Sequence, residues 1–194
     1  MLNLIFASHN PHKLEEVRAI LGAGIQLGSL GDIGCYDDIP EPYESLEENA
    51  LAKAAFVAER YGVHCFADDT GLEAEALDGL PGVHSARYAG AEKDNLANIR
   101  KLLQELSHRS NRKARFRTVI ALVLDGQSYL FEGVVNGHIT HEPRGLQGFG
   151  YDPVFVPDGF EQTFAEMDAT QKNSISHRYQ ATRALSDFLK KCKQ

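Results

Sequence analysis

Two adjacent carboxylates constrain this chain most. In His64-Cys65-Phe66-Ala67-Asp68-Asp69-Thr70-Gly71-Leu72 an apolar run ends in an acidic pair, a hydroxyl and a glycine. Val63 to Ala67 reads as a short buried strand, because it is apolar or small and is bounded by Gly62 and the acids. Open α/β sheets bind ligands just outside the carboxyl ends of their strands. Two carboxylates held together there repel unless a cation or a proton lies between them. Mg²⁺, held by one or two carboxylates and by substrate phosphates, meets that need. The local alternative is that Asp-Thr-Gly only begins a turn, for which it has the right chemistry.

A second stretch points the same way. Leu2 to Ala7 reads as a first strand, and Ser8-His9-Asn10-Pro11-His12-Lys13 follows at once. Asn10 is a good N-cap and Pro11 suits the first helical position. Leu14, Val17 and Leu21 then recur at helical spacing, and Gly22 can stop the helix. Free N–H groups at such a helix start form an anion site, with Lys13 on the first turn in reach of a phosphate. The turn lacks the GxxxxGK[ST] pattern of a P-loop. The other reading is a capped helix with a solvated lysine.

Size and charge narrow the partners. The chain has 194 residues and a formal net charge of -7, with 43% hydrophobic and 24% charged residues. That suits one soluble domain with a substantial core. The acidic balance argues against nucleic acid as a partner, while a small anionic ligand remains compatible with locally concentrated positive charge. Cys35, Cys65 and Cys192 show no CxxC spacing, so neither structural zinc nor a disulfide framework is expected. No apolar run approaches the roughly 18 residues that span a bilayer, and Met1 to Ala7 lacks the features of a signal peptide. A cytoplasmic protein with no membrane partner is expected.

The remaining segments supply further candidates. Ile25 to Leu30 reads as a second strand. Asp37, Asp38, Glu41 and Glu44 lie with Pro40 and Pro42 in an acidic loop, either solvated or lending one carboxylate to a metal with Asp69. Ser45-Leu46-Glu47-Glu48 is a capping box for a helix that Gly62 closes. Asn49 and Lys53 share one face of it, whether that face is solvated or looks into a cleft. Arg87 and Tyr88 lie in a Gly- and Pro-rich loop, as a ligand pair or as packing. Asp94 caps a helix whose core face is Leu96, Ile99, Leu102, Leu103 and Leu106. Ala114 to Leu124 reads as a central strand, Asp125-Gly126 as a hairpin and Ser128 to Val135 as its return. Asn136-Gly137 reads as a second turn, leading into Ile139-Thr140.

Gly145, Gly148 and Gly150 allow close backbone approach to a ligand. Phe149 and Tyr151 between them offer faces for a base, and Asp152 offers an acceptor. Lys172, His177 and Arg178 fall just before or within the first turn of the last helix. The dipole there disfavours cations, so an anion is expected to hold them.

In this order the segments resemble the inosine triphosphate pyrophosphatase family, from Phe6 to the last helix. The motifs are Ser8 to Glu16, Glu48-Asn49-Ala50, Ala67 to Leu72, Pro81-Gly82 with Ser85 to Tyr88, Gly148 to Pro153, and Ser176-His177-Arg178. The resemblance implies an α/β fold, an elongated mixed β-sheet flanked by helices, with two lobes and a central cleft. It implies a homodimer that cuts dITP, ITP and XTP between the α- and β-phosphates with Mg²⁺. Carried over by motif, Ser8, His9, Asn10, Pro11, His12 and Lys13 line the triphosphate. Asp69 is the base or a metal ligand, with Thr70 beside it on substrate and Glu41 as the acidic-loop ligand. Phe149, Gly150, Tyr151, Asp152, Lys172, His177 and Arg178 match the nucleotide-binding segments, and His177 and Arg178 are the candidate donors to the 6-oxo group of the base. Two positions depart from the family's usual wording. His9 stands where glycine is common, and the loop before Ser45 lacks the glycine of Glu-Thr-Gly, which leaves Glu44 as the alternative to Glu41.

Overall fold

The protein is described from a computed structural model over residues 2–21 and 25–192. Gly22, the expected helix stop, lies outside the described residues. The sheet is mixed and runs in the order β2-β1-β3-β5-β6-β7, with β4 paired to β3. Its strands are β1 (Leu2–Phe6), β2 (Ile25–Ser29), β3 (Cys65–Ala74), β4 (Pro81–Gly82), β5 (Lys113–Leu124), β6 (Gln127–Ile139) and β7 (Phe155–Pro157). The helices are α1 (Pro11–Leu21), α2 (Leu46–Tyr61), α3 (Asn95–Glu105), α4 (Ala169–Ile175) and α5 (His177–Cys192). β1 runs parallel to β2 and to β3, whereas β3–β4 and β6–β7 are antiparallel.

The chain forms two compact units. The first comprises Met1–Asp69, Thr118–Gly133 and His177–Gln194; the second comprises Thr70–Arg117 and Val134–Ser176. The core of the first joins Leu4 and Phe6 of β1, Val17 of α1, Phe66 of β3, Ile120 and Leu122 of β5 and Leu185 of α5. The Phe6 and Phe66 rings stack at 4.9 Å. The core of the second gathers Leu72, Ile99, Leu102, Phe116, Phe155 and Phe164.

Most local signals act as chemistry dictates. Asn10 and Ser45 cap α1 and α2, and Gly62 ends α2 in the left-handed conformation. Asp94 caps α3 by accepting from Leu96 N and Ala97 N. Asp125 and Gly126, both at positive φ, make the β5–β6 hairpin.

Three expectations are corrected. The strand does not end before the acidic pair: β3 continues to Ala74, and Asp68 and Asp69 lie inside it. It continues because Leu72 and Glu73 pair with Gly82 and Pro81, and Gly71 has no side chain to bar the way. A Cβ there would stand 2.6 Å from the Gly82 carbonyl oxygen. Asn136-Gly137 is not a turn but part of β6. Gly137 is needed because β7 passes so close that a Cβ would fall 2.1 Å from Val156 O. Leu96 is 61% exposed and leaves the core face of α3 to Ile99, Leu102 and Leu106.

The start of α5 is set by one glycine. A Cβ on Gly133 of β6 would lie 2.0 Å from the carbonyl oxygen of His177 and 2.7 Å from Ala181 N. The obstacle is backbone, so the helix itself would have to move. Gly133→Ala should therefore cost about 1–3 kcal/mol, the usual range for overpacking, and lower the denaturation midpoint. An unchanged midpoint would show that α5 can retreat without loss.

Candidate phosphate-handling site

Residues at the start of α1 are fixed by their neighbours. Asn10 Oδ1 accepts from His12 N at 3.0 Å and Lys13 N at 3.3 Å, and Ser8 Oγ accepts from Asn10 N at 3.3 Å. The cap thus takes two of the N–H groups that the sequence left open for an anion. Pro11 begins the helix, and Pro11 and His12 are exposed. His9 is exposed too, its Nε2 lying 3.0 Å from the Asp37 carbonyl oxygen.

Lys13 turns to Asp68. Its Nζ donates to Asp68 Oδ1 at 2.9 Å, and Arg178 Nε reaches Asp68 Oδ2 at 3.3 Å. Arg178 Nη1 also donates to Glu16. Asp68 and Arg178 are almost wholly buried. Burial alone would raise the Asp68 carboxyl, but Lys13, Arg178 and Lys53 outweigh it and hold it well below the carboxylate range. Burial pulls Lys13 down despite Asp68, with Arg178 and Lys53 adding to the fall. Burial works against the Arg178 charge as well, yet Asp68 and Glu16 keep it raised. The anion expected to hold Arg178 at the α5 terminus is therefore the protein's own Asp68 and Glu16. His177 beside it is buried.

Asp69 belongs to a second cluster. Side chains alternate along a strand, so Asp69 leaves the side of β3 that Asp68 takes. The two acids thus hydrogen-bond to different cations, although Lys13 and Lys53 each act on both at longer range. Lys53 of α2 donates to Asp69 Oδ1 at 3.3 Å and to Glu41 of the acidic loop. Burial raises the Asp69 carboxyl, and Lys53 and Lys13 do not fully offset it. Burial opposes the Lys53 charge, but Asp69, Glu41 and Asp68 raise its pKa.

Glu41 and Asp69 are the two carboxylates expected to hold a metal, and they converge on one cation, the Lys53 ammonium. Hard oxygen donors of this kind suit Mg²⁺, which takes one or two carboxylates and completes its shell with water and phosphate. Among the described residues there is no group of three or more His, Cys, Asp or Glu side chains able to hold a metal alone. The pair fits a cation that arrives with phosphate oxygens, not a closed protein cage.

In the second unit, Asp152 organises the glycine-rich loop. Its Oδ2 accepts from Phe149 N at 2.8 Å and from Lys172 Nζ at 2.7 Å. Gly148 at φ 73° leaves room for that carboxylate, since a Cβ would stand 2.1 Å from Oδ2. Gly150 has φ 62°. Lys172 is buried with its Nζ 5.0 Å from the Phe149 ring centroid. Phe149 is half-buried. Tyr151, expected to offer a stacking face, is buried instead, and its hydroxyl donates to Ser85 O at 2.8 Å. Thr70, half-buried, opens this unit's part of β3. Tyr88 is packing: its hydroxyl donates to Glu105, and Lys101 sits over its ring at 4.3 Å.

Sequence reasoning did not assign Lys53 and Glu16. The signal for Lys53 was present in its spacing from Asn49 on an alanine-rich helix, for both fall on the buried face with Ala50, Ala54 and Val57. Glu16 closes the Ser8 to Glu16 motif, but nothing in the sequence pointed it at Arg178, 162 residues away.

Comparison with known proteins adds an independent line. Residues 4–188 match the model of the Ham1 family. The chain belongs to the Ham1 family. This bears out the resemblance drawn from the motifs. The dITP/XTP pyrophosphatase of Porphyromonas gingivalis is 57% identical over 190 residues, covering 97% of this chain and 98% of that protein. The protein of the same name from Christiangramia forsetii is 53% identical over 190 residues, covering 98% of this chain and 100% of its own. Among solved structures, a HAM1 protein from Coxiella burnetii superposes with a TM-score of 0.91 at 39% identity, over 98% of this chain and 100% of that one. The Ham1 fold is therefore a mixed sheet flanked by helices in this chain as in those structures.

Proposed function

We propose that this protein hydrolyses non-canonical purine nucleoside triphosphates (dITP, ITP and XTP) to the nucleoside monophosphate and pyrophosphate, and so cleanses the nucleotide pool. One observation carries the reading. A single strand sends one carboxylate to two cations, half-buried Lys13 and buried Arg178, and the next to a cation shared with a second carboxylate. Phosphoryl chemistry needs both, positive charge for the phosphates and carboxylates for water and metal. The names of the relatives support the same substrate class.

Lys13 is the cation nearest to hand for a phosphate, being the more exposed partner of Asp68. Asp69 orients a water and takes its proton as that water's oxygen bonds to the α-phosphorus and pyrophosphate departs. Glu41 and Asp69 would hold Mg²⁺, which would supply charge neutralisation on the phosphates. Phe149, half-buried, offers its ring to the base. Lys172, held against that ring by Asp152, is a donor suited to a 6-oxo group. A donor left unpaired by the 6-amino group of adenine penalises ATP. By resemblance the enzyme acts in the cytoplasm as a homodimer; no helix among the described residues is long and apolar enough to cross a membrane.

The test is pyrophosphate release from ITP, XTP, GTP, ATP and dUTP, with Mg²⁺ and with EDTA. ITP and XTP should exceed ATP by on the order of 10²-fold or more, with GTP between, and EDTA should abolish release. Equal rates on ATP and ITP would remove the base-reading part. Binding without release would make the protein a nucleotide sensor.

A further inference from the structure

Asn49 and Lys53 are polar residues on the buried face of α2, four positions apart. Asparagine is a weak helix former, and a buried amide is costly unless its donors and acceptor are used. Asn49 uses both on one residue of the acidic loop. Its Oδ1 accepts from Tyr43 N at 2.9 Å, and its Nδ2 donates to Tyr43 O at 2.9 Å. A neighbouring strand would bond a peptide in the same way. One helical turn further, Lys53 takes Glu41.

The two spacings match. Four residues of helix rise about 6 Å. Two residues of extended chain span about 6.6 Å. The chain from Tyr43 back to Glu41 thus keeps step with α2 from Asn49 to Lys53. Pro42, between them, has a fixed φ and no N–H, so Tyr43 supplies the first backbone donor after Glu41. Because alternate side chains of an extended chain point to opposite sides, a slip of one residue would turn Glu41 away from Lys53 and Asp69. The alternative carboxylate, Glu44, lies on the other side of the anchored residue.

We propose that Asn49 is a positioning residue: its double hydrogen bond to Tyr43 sets the register of the acidic loop on α2 and thereby delivers Glu41, not Glu44, to the Lys53–Asp69 cluster. Its effect on turnover rests on the function proposed above; its effect on the loop does not.

The test uses the full chain with Asn49→Ala, and Ser45→Ala as a control that weakens the same helix at its cap. Hydrogen exchange at the Tyr43 amide should quicken at least about 10-fold in Asn49→Ala relative to Ser45→Ala, since only the former removes the amide's acceptor. Pyrophosphate release from ITP should fall by about 10–100-fold, the usual effect of losing a group that orients a ligand. That loss should shrink to under about threefold when Glu41→Gln is already present. Equal loss in both backgrounds, or Tyr43 exchange no faster than in Ser45→Ala, would overturn the proposal. If Asn49→Ala does not fold, Asn49→Ser, which cannot span both Tyr43 groups, carries the same readings. If the natural sequence releases no pyrophosphate, the proposed function fails, while the exchange comparison still decides the register.

Discussion

Asp68→Ala should lose about 3–5 kcal/mol of stability, the scale for removing one partner of a buried ion pair. Asp68 bonds Lys13 through one oxygen and accepts from Arg178 on the other. Without it two cations stay close together inside the fold, each already opposed by burial. Glu16 still serves Arg178, so the loss falls mainly on Lys13 and on the mutual repulsion of the two. For a chain of this length the melting temperature should drop by on the order of 10 °C. Thermal melting of Asp68→Ala beside Asp68→Ala/Lys13→Met checks the cause. If the charges are responsible, the second substitution restores part of the midpoint. A double variant no more stable than the single one would assign the loss to packing instead.

Asp69→Asn should behave in the opposite way, with pyrophosphate release from ITP falling by roughly 10²–10⁴-fold at little cost in stability. The amide oxygen can still accept from Lys53, which also keeps Glu41, so the cluster stays assembled. What is lost is a proton acceptor and half of the charge offered to a cation. Steady-state rates at saturating Mg²⁺, measured with a melting curve on the same sample, separate the two contributions. Turnover near that of the natural sequence would pass the role of base to another group.

The contrast between these variants shows how far the sequence could be read. The pair Asp68-Asp69 stood out as chemistry, and so did Lys13, Glu41, Lys172 and Arg178. Their identity needed only residue type and context, because carboxylates and cations beside buried strands are rarely idle. Their partnership needed the register of β3, which depends on Gly71 and Gly82 meeting across the β3–β4 pair. With the strand ending at Ala67, both acids would share one ligand. With the strand running through, alternation gives them different hydrogen-bonded cations, Lys13 and Arg178 for one and Lys53 for the other. Asn136-Gly137 failed for the same physical reason, since a glycine that opens space for a passing strand looks like a glycine that makes a turn. Tyr151 and Phe149 are equal candidates in sequence, and only burial distinguishes the buried ring from the half-buried one. Caps, by contrast, were legible throughout, because Asn10, Ser45 and Asp94 act on amides two or three residues away.

The buried charges also set a timetable for the nascent chain. Arg178 follows Asp68 by 110 residues and Glu16 by 162. At translation speeds of about 5–20 residues per second, Glu16 waits roughly 8–30 s before its arginine has been made. Over the last 110 of those residues Asp68 has Lys13 but lacks its second counter-charge, and the apolar faces of β1 and α1 lack α5. The first unit is therefore unable to close as it is synthesised, and its exposed sheet must be kept from other chains on the ribosome until α5 arrives.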